Sequence, residues 1–261
     1  MRNERVKPEP EIQNEGYIEG RNAVLEALKA GRPIDKLFVA KGDTDGSLSR
    51  IAAMAKKAGI PVVDIDRRKL DTMSVTGAHQ GVIAACAVRE YVSVEDILNT
   101  AKEKREDPFI IVCDEISDPH NLGAIIRTAE AAGVHGIIIP KRRSAGATAT
   151  VAKTSAGAIE YVPIAKVPNI VSALDELKKA GVWIYGTSAD GQNDLWETDL
   201  RGPIALVIGS EGDGMSRLVS ENCDFKLSIP MKGSISSLNA SCSAAIVIYE
   251  AVRQRSKLNK G

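Results

Sequence analysis

Three polar or glycine-rich segments of this 261-residue chain carry residue types that could bind a ligand or assist a reaction. In the first, 114–127, Asp118 and Pro119 are typical of a helix start, and Arg127 lies beside the apolar stripe of that helix. The stem of an arginine can pack on such a stripe while its guanidinium binds a phosphate or a carboxylate. A capped helix with an ordinary surface arginine explains this segment at least as well when it is taken alone.

The second segment, 206–215, places three glycines directly after an apolar run, with Glu211 among them. Glycine backbone can turn sharply or approach a ligand closely. The order G-x-x-G-x-G differs from the dinucleotide-binding fingerprint, and no G-K-[ST] sequence follows for a P-loop. The segment therefore disfavours a nicotinamide- or ATP-dependent enzyme, whereas a plain glycine turn with a solvated Glu211 stays open.

The third segment, 229–241, crowds short polar side chains in front of a predicted helix. One such side chain is enough to cap a helix N-terminus. Here four occur within six residues, after a proline and a glycine: Ser236, Ser237, Asn239 and Ser241. This density favours a binding loop in addition to a cap.

The elements that position these segments alternate between strand and helix patterns along the chain. This alternation predicts an α/β protein. In the N-terminal part we predict strands at 36–40, 61–64 and 82–88 and helices at 20–30 and 47–58. In the C-terminal part we predict strands at 109–113, 136–139, 161–164, 182–186 and 204–208 and helices at 122–132, 170–180 and 240–255. Several of these strands are nearly uninterrupted apolar runs, which is typical of a parallel sheet covered on both faces. Ligands bind at the carboxyl ends of such strands, where we place the three segments.

Composition shifts divide the chain into a tail, two domains and a connection. Residues 1–15 are polar and unpatterned, which predicts a disordered tail. Residues 16–90 form one predicted α/β domain and residues 107–261 a second. The charge-rich stretch 91–106 ends just before Pro108, so we interpret it as a linker.

Charge, cysteines and histidines disfavour several classes of protein. Lysine plus arginine and aspartate plus glutamate each number 34, and this zero net charge counts against indiscriminate nucleic-acid binding while leaving a local basic patch open. Four cysteines without a C-x-x-C pair predict reduced thiols, and three scattered histidines predict no metal site. The chain has no apolar run that could cross a bilayer and no signal core, so we expect a cytoplasmic protein that does not engage membranes.

The three segments resemble the three signature motifs of the SpoU/TrmH-type (SPOUT) RNA 2′-O-methyltransferases, in the order that the family has them. The matching residues are Asn121, Gly123 and Arg127 in the first, Gly209, Glu211, Gly212 and Gly214 in the second, and Pro230, Ser237, Leu238 and Asn239 in the third. Upstream, 19–28 and 79–83 resemble the N-terminal RNA-binding domain of the 23S rRNA guanosine 2′-O-methyltransferase branch. Related antibiotic-resistance and tRNA enzymes share parts of this upstream pattern.

The resemblance implies a fold, a cofactor and partners. It implies a small N-terminal domain like ribosomal protein L30e, in 16–90, that binds the RNA substrate. It implies a C-terminal trefoil-knotted methyltransferase domain with a parallel sheet, S-adenosylmethionine as the cofactor, and homodimers in which the knotted domains pair. The last predicted helix offers an apolar stripe for pairing, which plain core packing also explains: Ala245, Ile248, Tyr249 and Val252.

The resemblance also implies which residues act. The implied catalytic residues are Asn121, Arg127, Glu211, Ser237 and Asn239. The implied cofactor contacts, made mostly by backbone, are Gly209, Ile229, Leu238 and, on weaker grounds, Thr187. The candidates for RNA contact are Arg21, Asn22 and His79. For His79, a role in stabilising a turn is an equally good explanation.

The implied reaction is attack of a ribose 2′-oxygen on the sulfonium methyl of the cofactor, and the expected target is a guanosine of 23S rRNA. A guanidinium with a pKa above about 12 is a poor base. We therefore expect Arg127 to stabilise the developing alkoxide and to hold a phosphate. A tRNA 2′-O-methyltransferase and a non-catalytic RNA-binding ribosome-assembly protein of the same fold stay open as alternatives.

Overall fold

The computed structural model describes residues 16–42, 46–86 and 90–256, so the tail predicted at 1–15 lies outside them. The described residues form a small N-terminal α/β unit and a larger C-terminal unit with a parallel sheet. The predicted α/β class, with a small N-terminal unit and a parallel C-terminal sheet, is therefore confirmed. The N-terminal elements are β1 (Tyr17–Glu19), α1 (Arg21–Lys29), β2 (Ile34–Ala40), α2 (Gly46–Lys57), β3 (Val62–Ile65), α3 (Arg67–Met73) and β4 (Val82–Cys86).

The N-terminal sheet has the strand order β1-β4-β2-β3. The pair β2–β3 is parallel, whereas β4 runs antiparallel to both β1 and β2. Apolar residues of α1 and α2 pack with the sheet in one buried cluster, because both helices present them at helical spacing. Residues 87–88 of the predicted 82–88 strand lie outside the described residues.

The C-terminal unit is built on a seven-stranded sheet of order β7-β6-β5-β10-β8-β11-β9, in which every pairing is parallel. Its elements are α4 (Val94–Lys104), β5 (Phe109–Cys113), α5 (Pro119–Ala131), β6 (Gly136–Pro140), α6 (Ala149–Thr154), a 3-10 turn (Ala158–Glu160), β7 (Ile164–Val167), α7 (Ile170–Lys179), β8 (Trp183–Thr187), β9 (Asn193–Asp194), β10 (Ile204–Ile208), α8 (Arg217–Glu221), β11 (Phe225–Ser228) and α9 (Ala240–Ser256). All residues of the central strands β5 and β10 are buried, as their apolar sequences predict.

Helices cover both faces of this sheet. One face packs α5, α6 and α9 against the sheet, and the other packs α4, α7 and α8. The segments that follow β5, β10 and β11 leave the carboxyl edge of the sheet, so the three predicted ligand-binding segments meet there.

The stretch 91–106, predicted to be a linker, is a structured part of the C-terminal unit. It contains α4, which begins with a capping box made by Ser93 and Asp96. Val94 and Ile97 of this helix are buried against the sheet. A Cβ atom on Gly136 of β6 would lie 2.5 Å from the Ile97 side chain, so the packing is close. The linker interpretation was wrong. The many charges that suggested a linker lie on the solvent face of α4, whereas its other face packs against the sheet.

The strand predicted at 161–164 is also displaced. The 3-10 turn ends at Glu160, residues 161–163 have turn and irregular backbone, and the strand β7 begins only at Ile164. The turn is set by Gly157, whose φ of 86° is a left-handed conformation that glycine adopts without strain. The apolar character of this stretch comes from core residues of a turn rather than from a strand.

The turn joins the two units. The Tyr161 hydroxyl donates to the Glu26 carboxylate of α1 at 2.7 Å, and Arg32 forms a 2.7 Å ion pair with Glu160. A Cβ atom on Gly157 would lie 2.5 Å from the Cβ of Glu26, so the units are in direct contact. These contacts set the orientation of the N-terminal unit relative to the sheet.

Candidate active site

One side chain from each of the three predicted segments meets the other two in a hydrogen-bonded cluster. The Asn121 amide donates to the Glu211 carboxylate at 2.9 Å. The Asn239 amide donates to the Asn121 carbonyl oxygen at 3.0 Å and to the same Glu211 carboxylate oxygen. We call these three residues the amide–carboxylate cluster. Both amides donate to the Glu211 carboxylate, which therefore fixes the orientation of each amide group.

The start of α5 fixes Asn121. The Asp118 carboxylate caps this helix by accepting from the backbone N–H groups of His120 and Asn121, at 3.1 and 3.3 Å. Two residues on, a Cβ atom at Gly123 would lie 1.9 Å from Oγ1 of Thr154. Gly123 therefore permits close approach of the helix α6.

A tight hairpin fixes Glu211. The backbone groups of Ser210 and Gly214 exchange hydrogen bonds of 2.9 and 3.1 Å. Gly214 has a φ of 67°, and a Cβ atom on Gly209 would lie 2.2 Å from the carbonyl carbon of Gly214. Gly214 is required for its left-handed φ, and Gly209 is required because a side chain there would clash with the backbone. Glu211 therefore lies at the tip of a constrained hairpin.

The start of α9 fixes Asn239. Its side-chain oxygen accepts from the backbone N–H groups of Ser241 and Cys242 at 3.0 and 3.2 Å, while its amide donates to the cluster. One residue therefore caps a helix and orients the site. The Glu211 carboxylate lies beside the N-termini of α5 and α9, whose dipoles both favour a negative charge.

A cleft of about 330 Å³ opens on one side of the cluster. It brings together all four predicted cofactor-contacting residues, Thr187, Gly209, Ile229 and Leu238, and the predicted catalytic residue Ser237. Its volume lies within the usual range for small-molecule sites. Apolar side chains and exposed backbone can hold an adenosine, and the Glu211 and Asp213 carboxylates in the wall suit the cationic part of S-adenosylmethionine. The residues present therefore fit this cofactor.

A second cavity, of about 350 Å³, lies on the other side of the cluster. Asn121 and Glu211 line it together with Glu115, Asp118 and Arg143. Ser210, Gly212 and Asp213 line both cavities, so the glycine hairpin separates them. This arrangement gives the cluster access to two ligands at once.

Arg127 lies apart from the cluster. It follows Asn121 by six residues of α5, which places it about 9 Å further along the helix and about 240° around its axis. The side chain is exposed, lines neither cavity, and has no hydrogen bond or ion pair with another described residue. A single chain therefore does not bring Arg127 to the other predicted catalytic residues.

Asp114 is a site residue that the sequence analysis did not single out. It is a buried carboxylate at the end of β5 and accepts from the backbone N–H of Ser216 at 2.7 Å. This bond ties the end of the glycine hairpin to the neighbouring strand. An acidic residue directly after an apolar strand was the available sequence signal.

The N-terminal segments 19–28 and 79–83 are also brought together. Arg21 donates to the Gln80 carbonyl and to the Ser47 hydroxyl, both at 3.0 Å, whereas Asn22 is exposed. His79 is buried: one ring nitrogen accepts from the Gly81 N–H at 3.0 Å and the other lies 2.8 Å from an Asp71 oxygen. An enclosed ring cannot reach RNA, so the structure supports the turn-stabilising explanation of His79.

The four cysteines carry free thiols, as predicted. Burial raises the pKa values of Cys86 and Cys113 to about 12, so both thiols stay protonated at neutral pH. Among residues 16–42, 46–86 and 90–256 we find no group of three or more potential metal ligands. None of the helices in those ranges is both long and apolar enough to span a bilayer.

Two family profiles match the chain. Residues 108–249 match the SpoU rRNA Methylase family, and residues 17–92 match the family described as RNA 2′-O ribose methyltransferase substrate binding. The Bacillus subtilis (strain 168) protein YacO, assigned to the TrmH family of tRNA/rRNA methyltransferases, is 48% identical over 95% of this chain and 99% of its own length. The match over 108–249 contains Asn121, Glu211 and Asn239.

Solved structures show the same architecture. The SpoU methyltransferase AviRb from Streptomyces viridochromogenes, in complex with the cofactor AdoMet, superposes with a TM-score of 0.79 at 28% identity, over 92% of this chain and 89% of its own. The TrmH/SpoU tRNA modifying enzyme of A. aeolicus superposes with a TM-score of 0.53 at 31% identity, over 62% of this chain and 86% of its own.

Proposed function

The chain belongs to the SpoU rRNA methylase family and is an S-adenosylmethionine-dependent RNA methyltransferase, and we propose that it methylates the 2′-hydroxyl of a ribose, at a guanosine of 23S rRNA. The observation that carries the proposal is the amide–carboxylate cluster between two cavities, one of which fits the cofactor. The match of 17–92 to a substrate-binding domain of ribose methyltransferases supports the ribose as the acceptor.

The cofactor, when bound, supplies an electrophilic methyl group on a sulfonium. Thr187, Gly209, Ile229 and Leu238 would hold it in the first cleft, mostly through backbone groups. The second cavity would admit the ribose, because it meets the first cleft at the glycine hairpin. Asn121 and Asn239, both fixed by Glu211, would then orient the hairpin and the ribose for in-line attack.

The 2′-hydroxyl proton would pass to water as the 2′-oxygen attacks, and its removal needs help at neutral pH because a ribose hydroxyl is a poor nucleophile. We assign to Arg127 the stabilisation of the developing alkoxide and the binding of a nearby phosphate. Arg127→Ala should nearly abolish methyl transfer while cofactor affinity, measured by calorimetry, stays within about twofold. Normal turnover by this variant would remove Arg127 from the mechanism.

We further propose that the protein works as a homodimer, which would bring Arg127 of one subunit to the cluster of the other. The exposed position of Arg127 supports this, as does Tyr249 of the predicted α9 stripe, whose aromatic side chain is exposed. The other members of that stripe are partly or fully buried: Ala245, Ile248 and Val252. The trefoil knot that the family resemblance implies stays a prediction.

A subunit-mixing experiment tests the dimer. Subunits carrying Arg127→Ala and subunits carrying Glu211→Ala would each be inactive alone. If Arg127 serves the partner's site, random mixing gives half mixed dimers with one complete site each, so activity returns to about a quarter of normal. Continued inactivity of the mixture would show that Arg127 and Glu211 must belong to the same subunit.

We propose rRNA rather than tRNA as the substrate, in the cytoplasm. The family matched by 108–249 is described as an rRNA methylase, and the tRNA-modifying enzyme of A. aeolicus aligns with only 62% of this chain. Within the N-terminal unit, Arg21 and the exposed Asn22 are the proposed RNA contacts. Methyl transfer to transcribed 23S rRNA fragments and to bulk tRNA, measured side by side, tests this. Transfer to tRNA alone would overturn it.

A further inference from the structure

Three consecutive cations follow β6 at the carboxyl edge of the sheet. Lys141, Arg142 and Arg143 are all exposed, and the segment contains no acidic residue up to Glu160. The chain as a whole has zero net charge, so this loop is a local concentration of positive charge. Such a concentration is the feature that binds a polyanion.

The loop lies beside the second cavity. Strand β6 neighbours β5 in the sheet, so residues 141–143 leave it next to the segment that leads to Asn121. Arg143 lines the second cavity and forms a 3.0 Å ion pair with Glu115. The Arg143 side chain is 80% exposed, so this pair is solvated and can exchange Glu115 for another anion.

Neighbouring elements hold the loop in place. The Ala145 N–H donates to the Ile116 carbonyl at 2.9 Å, and the Ala147 N–H donates to the Tyr91 hydroxyl at 2.9 Å. The backbone of Lys141 donates to the Val167 carbonyl at 2.8 Å. The cations are therefore carried on tethered backbone, which lowers the entropic cost of binding a ligand.

Lys141 and Arg142 have no ion pair with any other residue in the described ranges, so both charges are open to a ligand. Lys166 of the adjacent strand adds a further cation, stacked at 4.9 Å over the Tyr91 ring. Phosphate oxygens of a nucleic-acid backbone are the anions that such exposed lysines and arginines bind.

We propose that Lys141, Arg142 and Arg143 bind the phosphates of the RNA strand next to the reacting ribose. This rests on the proposed function, since it takes the second cavity as the ribose site. The loop would fix the strand on the catalytic unit itself, while the N-terminal unit binds more distant RNA. The contact is with the backbone and does not depend on the base sequence.

The test is the salt dependence of RNA binding by the full-length protein. Each phosphate contact contributes about −0.7 to the slope of log K against log salt for single strands and about −0.9 for duplexes. The double variant Lys141→Ala/Arg142→Ala should therefore have a slope shallower by about 1.4 to 1.8. Binding to a transcribed 23S rRNA fragment and to tRNA would be measured for each protein, with cofactor affinity as the check of folding.

The matched control is Lys102→Ala/Lys179→Ala. These exposed lysines lie near the ends of α4 and α7, where β5 and β8 are about to begin, and hence at the opposite edge of the sheet. The control should have the same slope of log K against log salt as the unmodified protein. The variant Lys141→Arg/Arg142→Lys should have that slope too, because both positive charges remain. Equal slopes in the alanine variant and the unmodified protein, or equal losses in variant and control, would overturn the proposal.

A different result would overturn the proposed function. If neither RNA receives a methyl group on ribose, the ribose assignment is wrong, whatever the slopes are. If ribose is methylated and the slopes are unchanged, only the phosphate-binding role of the loop is wrong.

Discussion

Replacing Gly209 with alanine should weaken the binding of the cofactor. The added Cβ would lie 2.2 Å from the carbonyl carbon of Gly214 and 2.3 Å from the backbone nitrogen of Met215. Both are backbone atoms, so no flexible side chain can move aside. The hairpin must open, and with it the two backbone hydrogen bonds between Ser210 and Gly214 are lost.

The size of the effect follows from those two bonds. At about 0.5–1.5 kcal/mol each, their loss costs about 1–3 kcal/mol, which is about a 5- to 150-fold loss of affinity if the bound state requires the closed hairpin. The assay is titration calorimetry with S-adenosylhomocysteine. Gly212→Ala is the matched control, because a Cβ there meets nothing within 4 Å. Equal affinity in the Gly209 variant and the unmodified protein, or equal losses in both variants, would show that cofactor binding does not require the closed hairpin.

Three further perturbations test other parts of the structure. Asn239→Ser keeps a side-chain oxygen that can cap α9 but removes both amide hydrogen bonds to the cluster, so turnover should fall at least about tenfold with little change in unfolding temperature, because water can solvate the exposed Glu211. Asn239→Ala should also lose about 1 kcal/mol of stability through the lost cap. Gly157→Ala should lower stability by about 1–3 kcal/mol in thermal unfolding, because its φ is 86° and its Cβ would clash with Glu26; unchanged stability would mean that the two units do not dock as described. Burial alone would raise the pKa of Glu19, but hydrogen bonds from Ser74, Thr76 and Val75 outweigh it and lower the pKa below the ordinary 4.5. The stability that this carboxylate contributes should therefore be complete above pH 4.5 and be lost as pH falls through the lowered value, and Glu19→Gln should remove that component from denaturant titrations at acid pH.

Local sequence patterns predicted the strands that are buried on both faces. The ranges 109–113 and 204–208 coincide with β5 and β10, because an unbroken apolar run bounded by proline or glycine leaves few alternatives. The amphipathic helix α4 was missed, although Val94, Ile97 and Ala101 have helical spacing, since its charges dominated the composition. The short strand β11 was missed as well, because only one of its four residues is fully buried.

The strand order could not be predicted from sequence, because pairing between distant strands depends on packing that no local window contains. The residues of the site were nevertheless found from the motif resemblance, and Asn121, Glu211 and Asn239 do meet. Two properties of the predicted site residues could not be predicted from the sequence. The side chain of His79 is buried, and Arg127 is exposed and lines neither cavity. Both properties depend on the tertiary surroundings.

Treatment with alkali shows whether the methyl group is transferred to a ribose oxygen of RNA or to a base. Alkaline hydrolysis of RNA requires a free 2′-hydroxyl, so a linkage that follows a 2′-O-methylated ribose survives. The full-length protein would be incubated with 23S rRNA fragments and methyl-labelled S-adenosylmethionine, and the RNA would then be hydrolysed completely. We predict that the label is recovered in alkali-resistant dinucleotides whose first nucleoside is guanosine. Label recovered in mononucleotides would place the methyl group on a base, and the ribose assignment would be wrong.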